Sequence, residues 1–331
     1  PMAGRGSRLR PHTLTTAKPL LPVAGKPIEQ RLVDDIAGIV GEELNRIAYV
    51  VGEFGDEVER MLLDGAQGQW AQGSIHYQDK PLGTAHAVLC AAEHLEGPVV
   101  VAFADTLFRA DFKLDQHADG VIWVKRVDDP RAFGVVQLGE DGRIVEFVEK
   151  PQQFVSDMAI IGIYYFKDGA RLRRELQYLI DNDIKGGGEY QLTHALENMK
   201  NAGLRFVPGT VDAWMDCGNK DVTVETNGRI LEFVQHEEQL VSPEAELVNA
   251  TVIPPCFIGP GAKIVNSTVG PHVSIGARST VTDSTLTDCI VGEDSQLQRI
   301  TLRNSMIGRH AVLDGQFVSL SLGDYSRLEG E

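Results

Sequence analysis

The stretch from about Leu240 onward is built from short repeated units. Helical periodicity disappears there, and each unit begins with an aliphatic residue that has Gly, Pro, Asn or Ser nearby. The spacing is five or six residues, and an internal repeat of this kind indicates a solenoid. Recurring aliphatic side chains can stack into a dry interior while short faces wrap around it. The clearest units are residues 258–263, 264–268, 269–274, 275–280 and 281–285, and later units begin at Ile290, Leu297 and Ile307.

The repeat resembles the hexapeptide left-handed β-helix. At roughly 18 residues per coil, it would form about four to five coils. The pattern is regular in the middle and irregular over residues 298–304. An ordinary β-sandwich with short strands is the alternative, and the regular Ile-Gly units favour the solenoid.

Residues up to about 238 follow a different pattern, in which strand-like and helix-like segments alternate. Residues 47–51 and 99–103 are short apolar runs typical of buried strands, whereas residues 169–180 have helical spacing. Such alternation predicts an α/β domain with a mostly parallel, Rossmann-like sheet and helices on both faces. Ligands in such folds bind beyond the carboxyl ends of the strands. We therefore predict two domains, residues 1–238 and residues 239–331.

Composition narrows the class of protein. The net charge of −16 argues against a nucleic-acid surface, because duplex binding relies on Lys and Arg to neutralise phosphates. No apolar run approaches the 18 residues that a membrane span requires, and no secretory signal is visible. The four cysteines are widely spaced, which favours reduced packing residues in a cytoplasmic protein. They are Cys90, Cys217, Cys256 and Cys289.

The segment from Gly4 to Pro27 predicts an anion site. Gly4 and Gly6 allow a tight turn, and the backbone N–H groups of such a turn form a concave site for anions. Five cations accompany the turn, namely Arg5, Arg8, Arg10, Lys18 and Lys26. A solvated surface loop is the alternative, but the coincidence of glycines and cations favours a triphosphate site. A loop of this kind normally follows a strand, so we expect a few residues of a first strand to precede Pro1.

Five motifs together resemble the sugar-1-phosphate nucleotidyltransferase family. The first is Ala3-Gly4-Arg5-Gly6-Ser7-Arg8-Leu9, followed by Lys18-Pro19 and Gly25-Lys26-Pro27. The other four follow in the family's order at residues 78–85, 103–108, 147–151 (preceded by 133–136) and 211–219. The resemblance covers essentially the whole chain. It implies a nucleotidyltransferase catalytic domain over residues 1–238 and the β-helix of the family's long members over residues 239–331.

The resemblance also implies roles for individual residues. The nucleotide-binding residues would be Ala3, Gly4, Gly6, Ser7, Gln78, Gly83 and Thr84. The catalytic cations would be Arg8, Lys18 and Lys150. The sugar-binding residues would be Gly134, Glu149, Lys150 and Gly162. Asp105 and Asp216 would bind Mg²⁺.

Simpler structural roles are open for several of these residues. Thr84 could act as the N-cap of the following helix. Asp105 could be a turn or capping residue. Glu149 and Lys150 could form a solvated strand end.

The implied reaction joins an NTP and a sugar 1-phosphate to give an NDP-sugar and pyrophosphate. Gln78 with Leu82-Gly83-Thr84 suits a pyrimidine base, so we expect dTTP or UTP. Residues 160–162 lack the Asn-Thr-Gly that frames an acetamido group in bifunctional uridylyltransferases, which favours glucose 1-phosphate. Residues 187–190 lack an Arg with which some thymidylyltransferases hold the sugar phosphate. We expect a homo-oligomer without nucleic-acid or membrane partners.

Two other functions are possible. Bifunctional relatives carry an acyltransferase on the β-helix, for which His272 and His310 are the available residues. Both lie in turn-like positions, where we expect them to be exposed, and a structural or oligomerising role for the β-helix is favoured. A regulatory protein that binds nucleotide sugars without catalysis is the third hypothesis. A Rossmann dehydrogenase is disfavoured, because the Gly4-x-Gly6 loop lacks the third glycine.

Overall fold

The computed structural model describes residues 1–4, 6–40, 44–68, 71–110, 117–315 and 318–329. The chain divides into two compact units, which are considered separately. The sheet unit contains Pro1–Gly4 and Leu32–Trp214, and the solenoid unit contains Arg5–Arg31 and Met215–Glu331. No helix among the described residues is both long enough and apolar enough to cross a membrane.

Among the described residues, helices and strands are interspersed up to Val234, after which only strands follow. The helices are α1 (Ile28–Val40), α2 (Asp56–Gly68), α3 (Thr84–Leu89), α4 (Gly169–Asp181), α5 (Leu192–Asn201) and α6 (Lys220–Val234). The strands up to the solenoid are β1 (Pro22–Val23), β2 (Lys26–Pro27), β3 (Arg46–Val51), β4 (Gln72–Tyr77), β5 (Val99–Ala102), β6 (Thr106–Arg109), β7 (Gly120–Arg126), β8 (Gly134–Leu138), β9 (Ile144–Glu149), β10 (Met158–Phe166), β11 (Phe206–Thr210) and β12 (Ala213–Asp216). The solenoid strands are β13 (Glu246–Val248), β14 (Thr251–Val252), β15 (Cys256–Ile258), β16 (Lys263–Val265), β17 (Thr268–Val269), β18 (Val273–Ile275), β19 (Thr280–Thr282), β20 (Thr285–Val291), β21 (Gln296–Gln298), β22 (Thr301–Ile307), β23 (Val312–Asp314), β24 (Ser321–Leu322) and β25 (Arg327–Glu329).

The sheet unit is an α/β structure, as the sequence predicts, but its described pairings are mixed rather than mostly parallel. β3 pairs with β4 and β11 pairs with β7 in parallel. β10 pairs antiparallel with β5, β7 and β8, and β8 pairs antiparallel with β9. No α-helix separates β7, β8, β9 and β10 along the chain, and parallel neighbours need a crossover connection. These strands therefore form antiparallel pairs.

One apolar core joins this sheet to its helices. Tyr164 and Phe166 of β10 and Phe206 of β11 are buried there, together with Leu172 and Leu176 of α4. α4 begins at a capped end, because the Asp168 side chain accepts a hydrogen bond from the Arg171 N–H. The cap satisfies a backbone N–H at the helix start, and the buried leucines pack the helix against the sheet.

The solenoid unit contains a parallel β-solenoid of about five turns, consistent with a left-handed β-helix. Ile264 pairs with Val281, Val281 with Leu297, and Leu297 with Leu313, and all four side chains are buried. The repeated aliphatic positions therefore stack into a dry interior, as the sequence predicts. Successive turns advance by 17, 16 or 15 residues, fewer than the predicted 18.

Single residues in the left-handed region make the corners of the coils. Asn249, Asn266, Asp283 and Arg299 occupy equivalent corners with φ between 47° and 54°. Asn and Asp tolerate this conformation better than most residues. The Asn249 amide donates to Asn266 Oδ1 at 2.9 Å, and the Asn266 amide donates to Asp283 Oδ1 at 3.1 Å. The irregular stretch 298–304 belongs to the same architecture, because Arg299 continues this row of corners.

The N-terminal segment (Arg5–Arg31) belongs to the solenoid unit. Its first part has three short 3₁₀ turns, Ser7–Leu9, His12–Leu14 and Lys18–Leu20, followed by the two-residue pair β1–β2. The Ala24 N–H donates to Asn227 Oδ1 at 2.9 Å, and Asn227, in α6, also accepts from Ser274 Oγ at 2.7 Å. Asn227 is fully buried, so one side chain connects the segment, α6 and a solenoid strand.

The last described coil (residues 318–329) also contacts the N-terminal segment. His12 Nε2 lies 3.1 Å from Ser321 Oγ, and Thr15 Oγ1 donates to Asp324 Oδ2 at 2.6 Å. Arg309, in the preceding coil, donates to Thr16 Oγ1 at 3.2 Å. These contacts hold in place a stretch that has little regular secondary structure of its own.

Candidate active-site residues

The glycine loop has the tight geometry that the sequence predicts. Gly6 has φ 56°, and a Cβ at this position would lie 3.0 Å from both Lys18 Cβ and Thr13 Cγ2. The Thr13 hydroxyl donates to the Gly6 carbonyl at 2.7 Å. Leu9 is buried, whereas Ser7 and Arg8 are exposed. Arg5 lies outside the described residues. The loop therefore presents a hydroxyl and a guanidinium to solvent from an anchored turn.

The structure brings Lys18 and Asp216 together. Lys18 is only 8% exposed, and its ammonium lies 4.0 Å from Asp216 Oδ1. The Asp216 carbonyl accepts from Thr226 Oγ1 at 2.9 Å, while 46% of its side chain is exposed. A Cβ on Gly218 would collide with Asp216 Oδ2, so a side chain there would displace the carboxylate. Gly6, Lys18 and Asp216 thus form one site within the solenoid unit.

Gln78, Gly83 and Thr84 lie together in the sheet unit. The Gln78 amide donates to the Gly83 carbonyl at 3.2 Å. Gly83 has φ 116°, and a Cβ there would collide with the Tyr190 carbonyl oxygen. Only glycine permits this conformation and this close backbone approach. Close packing against Tyr190 therefore accounts for Gly83 without any ligand.

Thr84 does not cap α3, so the N-cap interpretation is wrong. Gly83 occupies the N-cap position and Thr84 is the first residue of the helix. The Thr84 hydroxyl accepts from the Leu192 N–H at 2.9 Å and lies 3.3 Å from Gln191 Oε1. It therefore connects the start of α3 to the start of α5.

Asp105 lies in the tight turn that follows β5, where its side chain is exposed. Its charge acts on the nearby Tyr164 hydroxyl, and so does the charge of Glu149. Burial is the main cause that raises the pKa of Tyr164, and these two carboxylates raise it further. The tyrosine is therefore a neutral hydroxyl beside both acids at every physiological pH.

The sugar-binding candidates Gly134, Glu149 and Lys150 also come together. Gly134 pairs with Glu149 across β8 and β9, and a Cβ on Gly134 would lie 3.1 Å from Glu149 Oε2. Thr193 Oγ1 donates to the same oxygen at 3.0 Å. The Lys150 ammonium lies 3.6 Å from Glu149 Oε1, and more than half of the Lys150 side chain is exposed. The Glu149 carboxylate, a hydrogen-bond acceptor, and the Lys150 ammonium are thus held side by side.

Gly162 lies where β10 is irregular. The register shifts between Ile160 and Tyr164, and Gly162 has φ 85°. Its carbonyl accepts from the Phe103 N–H at 2.9 Å. Gly162 therefore shapes the backbone beside Phe103, the residue that precedes Ala104-Asp105.

Two positioning residues are not predicted by the sequence. Thr193 holds the Glu149 carboxylate, and Thr226 holds the backbone of Asp216. Both lie on helix faces that also bury other residues. No local sequence pattern therefore distinguishes them from ordinary buried threonines. Their partners are 44 and 10 residues away, respectively.

The solenoid histidines occupy corners, as their turn-like positions predict. His272 has φ 62° and His310 has φ 54°. The expected exposure is wrong for His272, whose side chain is only 27% exposed. Its Nε2 lies 3.0 Å from Glu232 Oε1 and its Nδ1 lies 3.1 Å from Asp288 Oδ1, because α6 packs over this corner. His310 is exposed and stacks on Tyr325, with 4.7 Å between ring centroids.

The four cysteines are free thiols. Cys217, Cys256 and Cys289 are buried, and burial raises the pKa of both Cys256 and Cys289, the latter to about 11. Cys90 is partly buried, and burial raises its pKa as well. A raised pKa disfavours the thiolate, so Cys90, Cys256 and Cys289 have no activated character.

Comparison with known proteins identifies the family to which this chain belongs. A nucleotidyl transferase family model matches residues 2–232. The chain therefore belongs to the sugar-1-phosphate nucleotidyltransferase family, and it is a nucleotidyltransferase enzyme.

Individual relatives support the same conclusion. A glucose-1-phosphate thymidylyltransferase of Streptomyces griseus is 31% identical over 98% of this chain and 97% of its own length. The same enzyme of Streptomyces antibioticus is 30% identical over 77% and 76%, respectively. The bifunctional protein GlmU of Methanococcus maripaludis is 29% identical over 69% of this chain and 53% of its own length. A Bacillus anthracis structure, provisionally described as a glucose-1-phosphate thymidylyltransferase, covers 69% of this chain with a TM-score of 0.58 and 25% identity.

Proposed function

We propose that this enzyme transfers a nucleotidyl group from dTTP or UTP to a hexose 1-phosphate, with glucose 1-phosphate favoured, in a reaction assisted by Mg²⁺. The products are an NDP-sugar and pyrophosphate. The observation that carries the proposal is the buried Lys18, whose Cβ lies beside Gly6 of the glycine loop and whose ammonium lies 4.0 Å from Asp216 Oδ1. Two thymidylyltransferase relatives of similar length support the choice of base and sugar.

The N-terminal segment would bind the triphosphate. Exposed Ser7 and Arg8 and the backbone N–H groups around Gly6 suit the β- and γ-phosphates. Lys18 would stabilise charge at the α-phosphate and on the departing pyrophosphate. Because Lys18 is 8% exposed, little water competes for its ammonium, and its electrostatic effect on a phosphate is correspondingly stronger.

The sheet unit would bind the base and the sugar phosphate. Gln78, fixed by its bond to the Gly83 carbonyl, has amide groups that can pair with a pyrimidine edge. Glu149, oriented by Thr193, would accept from sugar hydroxyls, and Lys150 would attract the sugar phosphate. A phosphate oxygen of the sugar then attacks the α-phosphorus, and the bond to pyrophosphate breaks in line with the attack. This step needs no proton transfer, so positioning and charge stabilisation suffice.

Asp105 and Asp216 are the residues that would hold Mg²⁺. Both supply carboxylate oxygens, the donors that Mg²⁺ prefers, and both side chains reach solvent. Mg²⁺ would neutralise charge on the phosphates. The small Gly218 beside Asp216 leaves this carboxylate unobstructed.

A substrate grid tests the proposed reaction. Five nucleotides (ATP, GTP, CTP, UTP and dTTP) are combined with the 1-phosphates of glucose, galactose, mannose and N-acetylglucosamine, and pyrophosphate release is measured. The highest kcat/KM is expected for dTTP or UTP with glucose 1-phosphate. A higher value for a purine nucleotide or for the acetamido sugar would contradict the substrate assignment. Absence of release in every combination would favour the regulatory, non-catalytic hypothesis.

The metal assignment is tested with a matched pair of carboxylates. Asp216→Asn should lower kcat/KM by about 100-fold or more, because it removes a charged metal ligand. Asp212→Asn alters an exposed carboxylate four residues away and should retain near-normal activity. Asp105→Asn should behave like Asp216→Asn. Equal activities of the Asp216 and Asp212 variants at limiting Mg²⁺ would overturn the assignment.

We further propose a homo-oligomer in the cytoplasm, with the boundary between catalytic domain and β-helix near residues 238–239. The free cysteines support the location. Light scattering of the purified chain tests the assembly, and a monomer at micromolar concentration would contradict it.

A further inference from the structure

The sheet unit holds a histidine pair that the proposed reaction does not use. His76 lies on β4, while Glu93 and His94 lie in the 3₁₀ turn Ala92–His94, shortly after α3. The two rings are 4.9 Å apart between centroids and nearly perpendicular. Glu93 Oε1 lies 3.9 Å from His76 Nδ1 and 3.5 Å from His94 Nε2. All three potential ligand atoms lie within 4.8 Å of one another.

The donor set has the chemistry of a transition-metal site. Two imidazoles and one carboxylate bind Zn²⁺ and similar borderline cations, with a further position left for solvent. The histidine side chains are only 10% and 17% exposed, whereas Glu93 is 72% exposed and can adjust to an incoming ion. We propose that His76, Glu93 and His94 form a binding site for a divalent transition-metal ion of the zinc class.

Burial is the main cause that lowers the pKa of His76, and the neighbouring His94 lowers it further, while Glu93 opposes both. The facing groups are Arg46 from β3, Ser74 from β4 and Glu93 from the turn.

A hydrogen-bond chain through these groups fixes the ring tautomers without a metal. The Arg46 guanidinium donates to His94 Nδ1 at 3.0 Å, so the His94 proton is on Nε2. That Nε2–H donates to Ser74 Oγ at 3.1 Å, and the Ser74 hydroxyl donates to His76 Nε2 at 3.0 Å. The His76 proton is then on Nδ1, which faces Glu93.

Metal binding requires both rings to change tautomer. The His76 proton moves to Nε2, where it donates to Ser74 Oγ and leaves Nδ1 as a ligand. The His94 proton moves to Nδ1, so Arg46 must withdraw from that atom and leave Nε2 as a ligand. Arg46 is exposed and also donates to Gln72 Oε1 at 3.1 Å, which provides an alternative position. Ser74 thus supports the bound state, and Arg46 competes with it.

The site would act as a clamp between two segments of the sheet unit. His76 is two residues before Gln78, and the Glu93–His94 turn follows the helix that begins at Thr84. A bound ion would join the carboxyl end of β4 to the turn that follows α3. The proposal does not depend on the proposed reaction, because its readout is metal binding.

Metal titration of the chelator-treated full chain tests the proposal. Zn²⁺ is titrated by calorimetry, and Co²⁺ is added separately to follow the visible absorption of a tetrahedral cobalt complex. One equivalent of Zn²⁺ should bind and raise the unfolding midpoint. His76→Gln and His94→Gln should each weaken binding at least tenfold, and His236→Gln, which changes an exposed histidine, should bind like the parent. Unchanged affinity in both the His76 and His94 variants would overturn the site.

Substitution of Arg46, which opposes metal binding, should change the Zn²⁺ affinity in the opposite direction. Arg46→Gln should bind Zn²⁺ about tenfold more tightly, because the hydrogen bond and the positive charge that oppose the ion are removed. Ser74→Ala should bind about tenfold more weakly, because His76 Nε2 loses its partner. Both variants retain all three ligands, and circular dichroism without metal verifies their folds. Weaker binding by Arg46→Gln than by the parent protein would contradict the proposed tautomer exchange.

Discussion

The solenoid coils and the N-terminal segment lie in one compact unit but are held together in different ways. Each coil pairs with its neighbours through parallel backbone ladders, which recur at every turn. The N-terminal segment has three 3₁₀ turns and one two-residue strand pair. Single side-chain contacts fix it instead, such as Ala24 to Asn227 and Thr15 to Asp324.

This difference predicts in which of the two regions a single substitution should have the larger effect. A solenoid distributes its stability over repeated neighbour contacts, so losing one of them is partly tolerated. The N-terminal segment depends on a few buried polar contacts with no repeats, and an unsatisfied buried group costs more than a lost surface bond. The segment also carries two of the three candidate catalytic cations, Arg8 and Lys18. Substitutions there should therefore have larger effects than equivalent substitutions in the coils.

The largest expected effect is on turnover. Lys18→Met should lower kcat by about 100-fold or more, because the ammonium that stabilises the phosphate charge is lost. Lys26→Met is the matched control in the same segment, where the ammonium binds Glu238 at 2.9 Å. It should retain near-normal kcat. Steady-state kinetics by pyrophosphate release measures both, and similar kcat values for the two variants would refute the special role of Lys18.

The second-largest expected effect is on the free energy of unfolding. Asn227→Ala should cost about 2–4 kcal/mol of unfolding free energy, because the Ala24 N–H and the Ser274 hydroxyl both lose their buried acceptor. Ser274→Ala removes one of these donors and should cost about 1 kcal/mol. Urea unfolding measures the difference. A cost for Asn227→Ala no larger than that for Ser274→Ala would show that the segment does not depend on this contact.

A pH-dependent effect of similar size is expected at His12. Burial is the main cause that lowers the pKa of His12 to about 4, and the charge of Asp324 opposes it. The unfolded chain therefore binds more protons than the folded chain between pH 4 and 6.5, so stability falls as the pH decreases through this window. The loss should total about 3 kcal/mol by pH 4.

His12→Gln removes this contribution, and His236→Gln serves as the exposed control. Urea midpoints at pH 7, 6, 5 and 4 should show a shallower decline for His12→Gln than for the other two proteins. Parallel pH profiles for all three would exclude His12 as the source of the acid sensitivity.

The smallest expected loss of stability follows from substitutions in the solenoid coils. Asn266→Ala should cost about 1 kcal/mol, because alanine is unfavourable at φ 48° and the exposed amide ladder is broken. Asn266→Gly relieves the backbone strain and should cost less. Thermal unfolding of both variants measures this. An alanine variant as destabilised as Asn227→Ala would contradict the comparison between coils and segment.

The sequence predicts the repeated and periodic parts of the fold well. The stacked positions of Ile264, Val281 and Leu297 follow from a local repeat, and α4 follows from its helical spacing. The repeat overestimates the number of residues per coil, because successive turns advance by 15 to 17 residues rather than 18. The antiparallel partners of β10 are not predictable in this way, since strand pairing depends on contacts between distant segments.

The candidate site is predictable only in part. The glycine loop is a local motif, and Gly6 has the conformation expected of it. The approach of Lys18 to Asp216 joins residues almost 200 positions apart and is predictable only through the family resemblance. The roles of Thr193 and Thr226 have no sequence signal, because threonines at helical positions are common and their partners are set by tertiary packing.

The contacts between the N-terminal segment and the last described coil also constrain the order of events during synthesis. His12 and Ser321 are separated by 309 positions, as are Thr15 and Asp324. At about 5–20 residues per second, a ribosome needs about 15–60 s to make the intervening chain. The N-terminal segment, which carries the candidate phosphate-binding loop, must therefore wait for the last described coil, because these contacts form only after Ser321 and Asp324 have been made.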